Sequence, residues 1–390
     1  MFARKFRNAI VLCLALAPAV LVSCSEDSES PQPVTSPAPG SGGGQEPGQV
    51  AAPQWREGYP DAVSGATSLD LHMAINGPGR IYYTVYSSEP GFPSPEDVKR
   101  VAGSRDAQNL ITGGTIDVTS GRINEEMAVE LKNLNEEATY YAYMVAEYAD
   151  QDTAIMQQNA VYKEIKLGKR QTEEWFRSSE EDKQVGFLAY LPESARKTND
   201  SHPLLIFLGG NGEVAQQGKF NLLRNHTLPL YIEQGMDLPF IVVSPQHTQN
   251  NWSPQLIDEV IEEAKRRYNV DESRIYMTGI SGGGFGTFNY AVQYPHKLAA
   301  IVPIAGGGNT YKACELTDMA VWAFHGDKDN IVVPQKSIQM VEAINACEPR
   351  PYVSAKLTIY PGVYHNSWRM TYDGSEGHDI FNWLLQYQIR

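Results

Sequence analysis

The segment with the most evident chemistry is Gly279-Ile280-Ser281-Gly282-Gly283. Residues 274–278 before it are of strand type and residues 285–294 after it are of helix type, so Ser281 is placed on a strand-to-helix turn. Small neighbours let strand and helix approach closely and tolerate a strained backbone while the hydroxyl stays exposed. A phosphate-binding loop would need a following Gly-Lys-Ser/Thr, which is missing here. A serine hydroxyl is a poor nucleophile until a base takes its proton, so the chain must also supply an imidazole and an acid. Asp327 and Asp329 follow the apolar run 319–324, and His325, His365 and His378 are the histidines at hand.

The elements that must hold these groups alternate. From residue 174 to 390, the apolar runs 185–191, 203–208, 240–244, 274–279, 298–304, 319–325 and 355–360 have strand length, and several lack any alternation. Strands covered on both faces look like this, so the fold class expected is α/β, a doubly wound and mostly parallel sheet. Ser253-Pro254 reads as a helix start, and Leu256, Ile257, Val260, Ile261, Ala264 and Tyr268 repeat on one face behind it.

Residues 54–168 have a different rhythm. Leu69, Leu71, Met73 and Ile75 alternate with polar neighbours, Gly77-Pro78-Gly79 is a turn, and residues 80–86 are β-branched and aromatic. This predicts a hairpin, and a second pair is expected from 139–149 with 154–167, so a small all-β sandwich precedes the α/β part. Tyr82, Tyr83, Tyr86, Tyr141 and Tyr143 form either a sugar-stacking face or ordinary cross-strand packing, with packing the commoner use.

With 42% hydrophobic and 20% charged residues the chain has the composition of a globular protein. A net charge of -14 without a basic block argues against nucleic acid as a partner. No Cys/His cluster has zinc-ligand spacing, so neither a metal nor another cofactor is expected. Arg4, Lys5 and Arg7 precede an apolar run at 9–22 that is too short to span a bilayer, which reads as a signal peptide over 1–23. Residues 30–50 are mainly Pro, Gly, Ser and Gln and cannot build a core, so 24–53 is expected to be a flexible linker.

Several segments resemble known families. Leu21-Val22-Ser23-Cys24 resembles the lipobox of bacterial lipoproteins, which implies cleavage before Cys24 and lipidation of it, and an anchor at the outer membrane on its periplasmic or outer side. Ser25-Glu26-Asp27-Ser28-Glu29 is similar to the acidic export tract of some Bacteroidetes surface lipoproteins. Cleavage would remove three positive charges and no negative one, taking -14 to -17. Cys314 and Cys347 are then left in an oxidising compartment and are expected to pair. The stretch Leu134 to Tyr140 resembles the corner of fibronectin type III domains, where a Tyr hydroxyl, here that of Tyr140, bonds back to the backbone.

From Leu188 onward the chain resembles the phospholipase/carboxylesterase and polyhydroxybutyrate-depolymerase-like branch of the α/β hydrolases, which includes carbohydrate acetyl and feruloyl esterases. His325-Gly326-Asp327-Lys328-Asp329 with Val332-Val333-Pro334 matches a His-Gly-x-x-Asp-x-x-Val-Pro pattern and implies Asp329 as the acid, with Asp327 its rival. The order Ser, acid, His used by this fold implies His365 as the base ahead of His378, and His325 reads as a packed residue. Gly209-Gly210-Asn211-Gly212-Glu213 resembles the His-Gly-x-Gly-Glu loop of the same esterases, with Gly209 where the family has His. The match implies an oxyanion hole made by the N–H groups of Asn211 and Gly282.

The expected activity is hydrolysis of acyl esters by Ser281, His365 and Asp329, with acetyl or hydroxycinnamoyl groups on plant polysaccharides as substrates. Only a short loop separates the strands ending near Ile304 and starting near Met319, so an open cleft is expected, with Trp252 and Trp368 available to stack on the substrate. The rival readings are a peptidase of the same class and a glycan-binding lipoprotein without catalysis.

Overall fold

The structure is a computed structural model that describes residues 51–149, 153–214, 218–224, 226–247, 249 and 251–390. The expected signal peptide, Cys24 and the tether up to residue 50 lie outside the described residues.

The first region contains β1 (Asp61–Ser64), β2 (Leu69–Met73), β3 (Gly79–Tyr86), β4 (Leu110–Val118), β5 (Met127–Leu131), β6 (Thr139–Ala149), β7 (Ala154–Met156) and β8 (Val161–Lys166). All its pairings are antiparallel. One sheet has the order β1-β2-β5, the other β4-β3-β6, with β7 and β8 both pairing β6. Leu69, Leu71 and Met73 of β2 meet Ile81 and Val85 of β3 and Ala142, Met144 and Ala146 of β6 in one core between the sheets.

The alternation in 69–75 is therefore real, but β2 and β3 are not the expected hairpin. They belong to different sheets that face each other, and the turn 77–79 carries the chain across the core. An apolar face marks the side that is buried and does not say which strand lies alongside. The second expected pair does form, as β6 with β7 and β8. The helix Pro95–Ser104, capped by Ser94 with Pro95 at its start, covers the outer face of β3 and β6 and buries Tyr82, Tyr86 and Tyr143. The hydroxyl of Tyr140 accepts a hydrogen bond from the Asn135 amide at 3.0 Å.

The second region is one sheet of β9 (Gln171–Ser178), β10 (Lys183–Tyr190), β11 (His202–Leu208), β12 (Ile241–Pro245), β13 (Val270–Ile280), β14 (Ala300–Ile304), β15 (Ala320–Gly326) and β16 (Lys356–Tyr360). The spatial order is β16-β15-β14-β13-β11-β12-β10-β9, and every strand runs parallel except β10. All seven residues of the central strand β11 are buried. Leu204, Ile206 and Leu208 enter a core with the helices Pro254–Arg267, Gly282–Gln293 and Gln335–Asn345. Leu205 and Phe207 enter a second core with Thr227–Glu233, Trp368–Asp373 and Ile380–Leu384. The expected doubly wound α/β architecture preceded by small antiparallel sheets is what the chain adopts. Cys314 and Cys347, 33 residues apart, are joined by a disulfide that ties the turn Thr310–Leu316 to the end of Gln335–Asn345.

The two regions meet at the short helix Glu193–Lys197. The Glu193 carboxylate accepts from the amides of Ala66 (3.0 Å) and Thr67 (3.1 Å) and from the Ser68 hydroxyl (2.7 Å), and Lys197 pairs with Asp70 at 2.9 Å. Tyr190, just before this helix, sits beside Val242 near the start of β12, so the junction is at the end of the sheet where the parallel strands begin.

Candidate active site

Ser281 stands between β13 and the helix Gly282–Gln293 with φ 51° and ψ -116°. A non-glycine residue at this φ is strained and persists only where its surroundings fix it. Here the Ser281 amide donates to the Ile304 carbonyl at 2.9 Å, and a Cβ on Gly283 would collide with the Leu208 carbonyl. The absent side chain lets the helix start against β11 and aims the Ser281 hydroxyl out of the turn.

His365 reaches this turn from the loop after β16. Its Nε2 lies 2.9 Å from Ser281 Oγ and its Nδ1 lies 2.6 Å from Asp329 Oδ2. A carboxylate only accepts, so Nδ1 carries the proton and Nε2 is free to accept from the serine hydroxyl. Asp329 occupies the turn after β15, buried, and its other oxygen accepts from the amides of Ile331 and Val332, each at 2.9 Å. Burial pushes this carboxyl up, but hydrogen bonds from His365 and from the Val332 and Ile331 amides outweigh it and hold the pKa below the usual carboxylate value. The acid therefore stays ionised beside the imidazole.

The other candidates fall elsewhere. Asp327 accepts from the Gly362 amide at 2.6 Å and bridges two loops. His378 precedes the helix Ile380–Leu384 and packs against Trp322 and Phe324. His325 is fully buried, with Nδ1 2.8 Å from Ser337 Oγ and Nε2 2.8 Å from the Val332 carbonyl and 3.2 Å from Asp329 Oδ2. Burial pushes its pKa down, so it packs as a neutral ring behind the acid.

Asn211 begins the turn Asn211–Glu213, and its backbone nitrogen lies 3.4 Å from where a Cβ on Gly282 would stand. Gly282 is the first residue of its helix, whose amide has no acceptor within the helix. Both amides thus border Ser281. A cleft of about 690 Å³ opens here, and Asn211, Trp252, Phe285, Ile331, His365 and Trp368 are among its walls. Trp368 meets the His365 ring edge to face, with centroids 5.2 Å apart. Trp252 is buried, donates its indole N–H to the Gly209 carbonyl at 2.9 Å and stacks on His247 at 4.2 Å, so most of its surface is spent on packing. Neither nitrogen of His247 has a hydrogen-bond partner among the described residues, and burial pulls its pKa down to about 4.

Glu213, His226 and Asn289 also line the cleft and were not singled out by the sequence reading. Glu213 lies inside the loop quoted for Asn211 and carried a signal. His226 and Asn289 carried none, because only the tertiary arrangement brings them to this wall.

The strand order, with the single antiparallel strand second, places the serine turn after the fifth strand, the acid after the seventh and the imidazole after the eighth. This is the α/β-hydrolase fold. No family model matches the chain. The bifunctional acetylxylan esterase/xylanase of Neocallimastix patriciarum is 27% identical over 139 residues, 33% of this chain and 20% of that protein. Feruloyl esterase D of Neurospora crassa is 24% identical over 209 residues, 50% of this chain and 70% of that one. Among solved structures, a thermostable esterase shares 18% identity at a TM-score of 0.47, covering 84% of this chain and 97% of that one. By its two sequence relatives the chain is related to esterases, and it spans only a fifth of the length of the first of them.

Proposed function

We propose that the chain is a serine carboxylesterase that removes acetyl or hydroxycinnamoyl groups from plant polysaccharides. The observation that carries this reading is His365 bridging Ser281 and Asp329 at 2.9 and 2.6 Å at the mouth of an open cleft. The names of the two fungal relatives agree with it.

In this reading, Ser281 Oγ attacks the ester carbonyl carbon as its proton passes to His365 Nε2. Asp329 stabilises the imidazolium without taking its proton, and the oxyanion is met by the amides of Gly282 and Asn211. His365 then protonates the departing alkoxide, leaving Ser281 acylated. A water gives its proton to His365 and attacks the acyl carbon, and collapse frees the carboxylic acid as Ser281 recovers a proton. The groups needed converge from four loops, Ser281 with Gly282 on one and Asn211, Asp329 and His365 on the others, which supports a cleft built for acyl transfer.

The β1-β2-β5 and β4-β3-β6 sheets with the Tyr140 bond fit a fibronectin type III-like module that acts as a spacer. The 1–23 signal and Cys24 fit a lipid anchor in the outer membrane, periplasmic or cell-surface. Fluorophosphonate labelling of the protein, followed by product analysis on acetylated and feruloylated xylan, tests the activity. Labelling at Ser281 with release of acetate or ferulate is expected. A protein that takes no label, or one that cleaves only peptides, would defeat the reading. Globomycin sensitivity of processing tests the anchor, with accumulation of the uncleaved precursor expected.

A further inference from the structure

One acid in the cleft has no part in the mechanism above. Glu213 closes the loop that carries Asn211 and is 7% exposed, yet it lines the same cavity as Ser281 and His365. No side chain among the described residues hydrogen-bonds its carboxyl. Burial pushes its pKa up, and only the nearby His226 and the amides of Gly210 and of Glu213 itself pull it back. A buried carboxyl left this poorly paired is unfavourable unless something entering the cleft supplies a donor.

Gly209, which has no side chain, leaves room beside Glu213. A Cβ on Gly209 would lie 3.2 Å from Glu213 Cβ and 3.6 Å from Cγ, so the acid's stem lies across the space that a side chain at 209 would take. On the other side, the point where a Cβ on Gly210 would stand is 3.2 Å from Glu213 Oε2 and 3.3 Å from Ser281 Cβ. The carboxyl is thereby brought to the nucleophile's side of the loop. No hydrogen bond joins it to His365 or Asp329, and it lines the volume a substrate would fill.

We propose that Glu213 is a specificity-determining residue that accepts a hydrogen bond from a free hydroxyl of the substrate. The inference rests on the esterase reading and narrows it to hydroxyl-bearing esters. The hydroxyl belongs either to a sugar ring on the alcohol half or to a phenol on the acyl half, and matched substrates separate the two. A neutral hydroxyl suits the site because it supplies one proton without adding a charge beside His226.

The test is a discrimination ratio, which does not depend on how much of a variant is folded. Competitive kcat/KM is measured on the full chain for a methyl xyloside monoacetate with its neighbouring hydroxyl free or O-methylated, and for methyl ferulate against methyl 3,4-dimethoxycinnamate. In one pair the unmodified protein should prefer the free hydroxyl by about tenfold or more, the scale of a hydrogen bond to a charged group. Glu213→Ala should bring that ratio close to one, and Glu213→Gln should keep part of it. Gly209→His, which crowds the stem without altering the carboxyl, should reproduce the loss. A ratio near one in the unmodified protein for both pairs, or a preference that survives in Glu213→Ala or Gly209→His, overturns the proposal. A protein that cleaves none of the four esters defeats the esterase reading and this inference with it, whereas cleavage without discrimination defeats this inference alone.

Discussion

The β1-β2-β5 sheet and the sheet of the second region use apolar residues in opposite ways. In β2 every second residue is buried, whereas β11 is buried along its whole length and sorts alternate residues into two cores. A sheet with one covered face leaves its loops scattered at the rims of a sandwich. A sheet wound on both faces brings the ends of many strands to one edge, and there the turns after β13, β15 and β16 place Ser281, Asp329 and His365 together. The aromatics differ in the same way. Tyr82 and Tyr143 are consumed as packing under the helix Pro95–Ser104, while Trp368 in the second region borders the cleft at Ser281. Architecture thus decides which part of the chain has room for chemistry.

The sharpest way to divide the regions is Ser281→Ala. Turnover of a simple aryl acetate should fall by roughly 10⁶, the scale of removing a serine nucleophile. The urea midpoint should stay put, because the side chain lost is small and lies at the cavity wall. Retained turnover would mean that the chemistry resides elsewhere.

Next in size is the doubly covered core. Phe207→Ala removes a fully buried ring from β11 and should cost about 3–5 kcal/mol in urea unfolding. A loss below about 1 kcal/mol would show that the second face of the sheet is less tightly packed than its burial implies.

A pH dependence follows from His247. Its folded pKa of about 4 lies below the ordinary histidine value of 6.5, so between them the unfolded chain binds a proton that the folded chain does not. Stability is full above the ordinary value and falls as pH drops toward about 4, by up to about 3 kcal/mol from this residue. His247→Phe should flatten the difference between urea unfolding at pH 7 and pH 4.5; an unchanged difference would assign the slope to other groups.

The smallest expected effect belongs to the first region. Tyr140→Phe deletes the bond to the Asn135 amide and should destabilise the protein by about 1 kcal/mol, with no change in aryl acetate turnover. A drop in turnover would show that the two regions are more tightly coupled than the comparison holds.

Much of this was legible in the residues. The sheet of the second region was readable because doubly buried strands show as unbroken apolar runs. The turn at Ser281 was readable because its glycines answer a steric need. The asymmetry between Asp327 and Asp329 was not decidable by spacing alone, since both follow the same strand; it took a family pattern to prefer one. The hairpin expected from 69–86 failed because alternation reports burial and not partners. The helix Pro95–Ser104 had its start signal in Ser94, Pro95 and Asp97, but no long apolar stripe to draw attention to it. His226 and Asn289 were beyond reach, because their place at the cleft depends on how distant helices pack. Trp252 shows the converse limit: an aromatic near the site was foreseeable, but that its indole would be tied to the Gly209 carbonyl was not.

Finally, the Glu193 junction has an implication for how the molecule can be altered. It grips the turn at 66–68 from the edge where the parallel strands start, and among the described residues none of the cleft's walls comes from the first region. Recombination that plugs a different appendage into the same socket should therefore leave the mouth at Ser281 unobstructed.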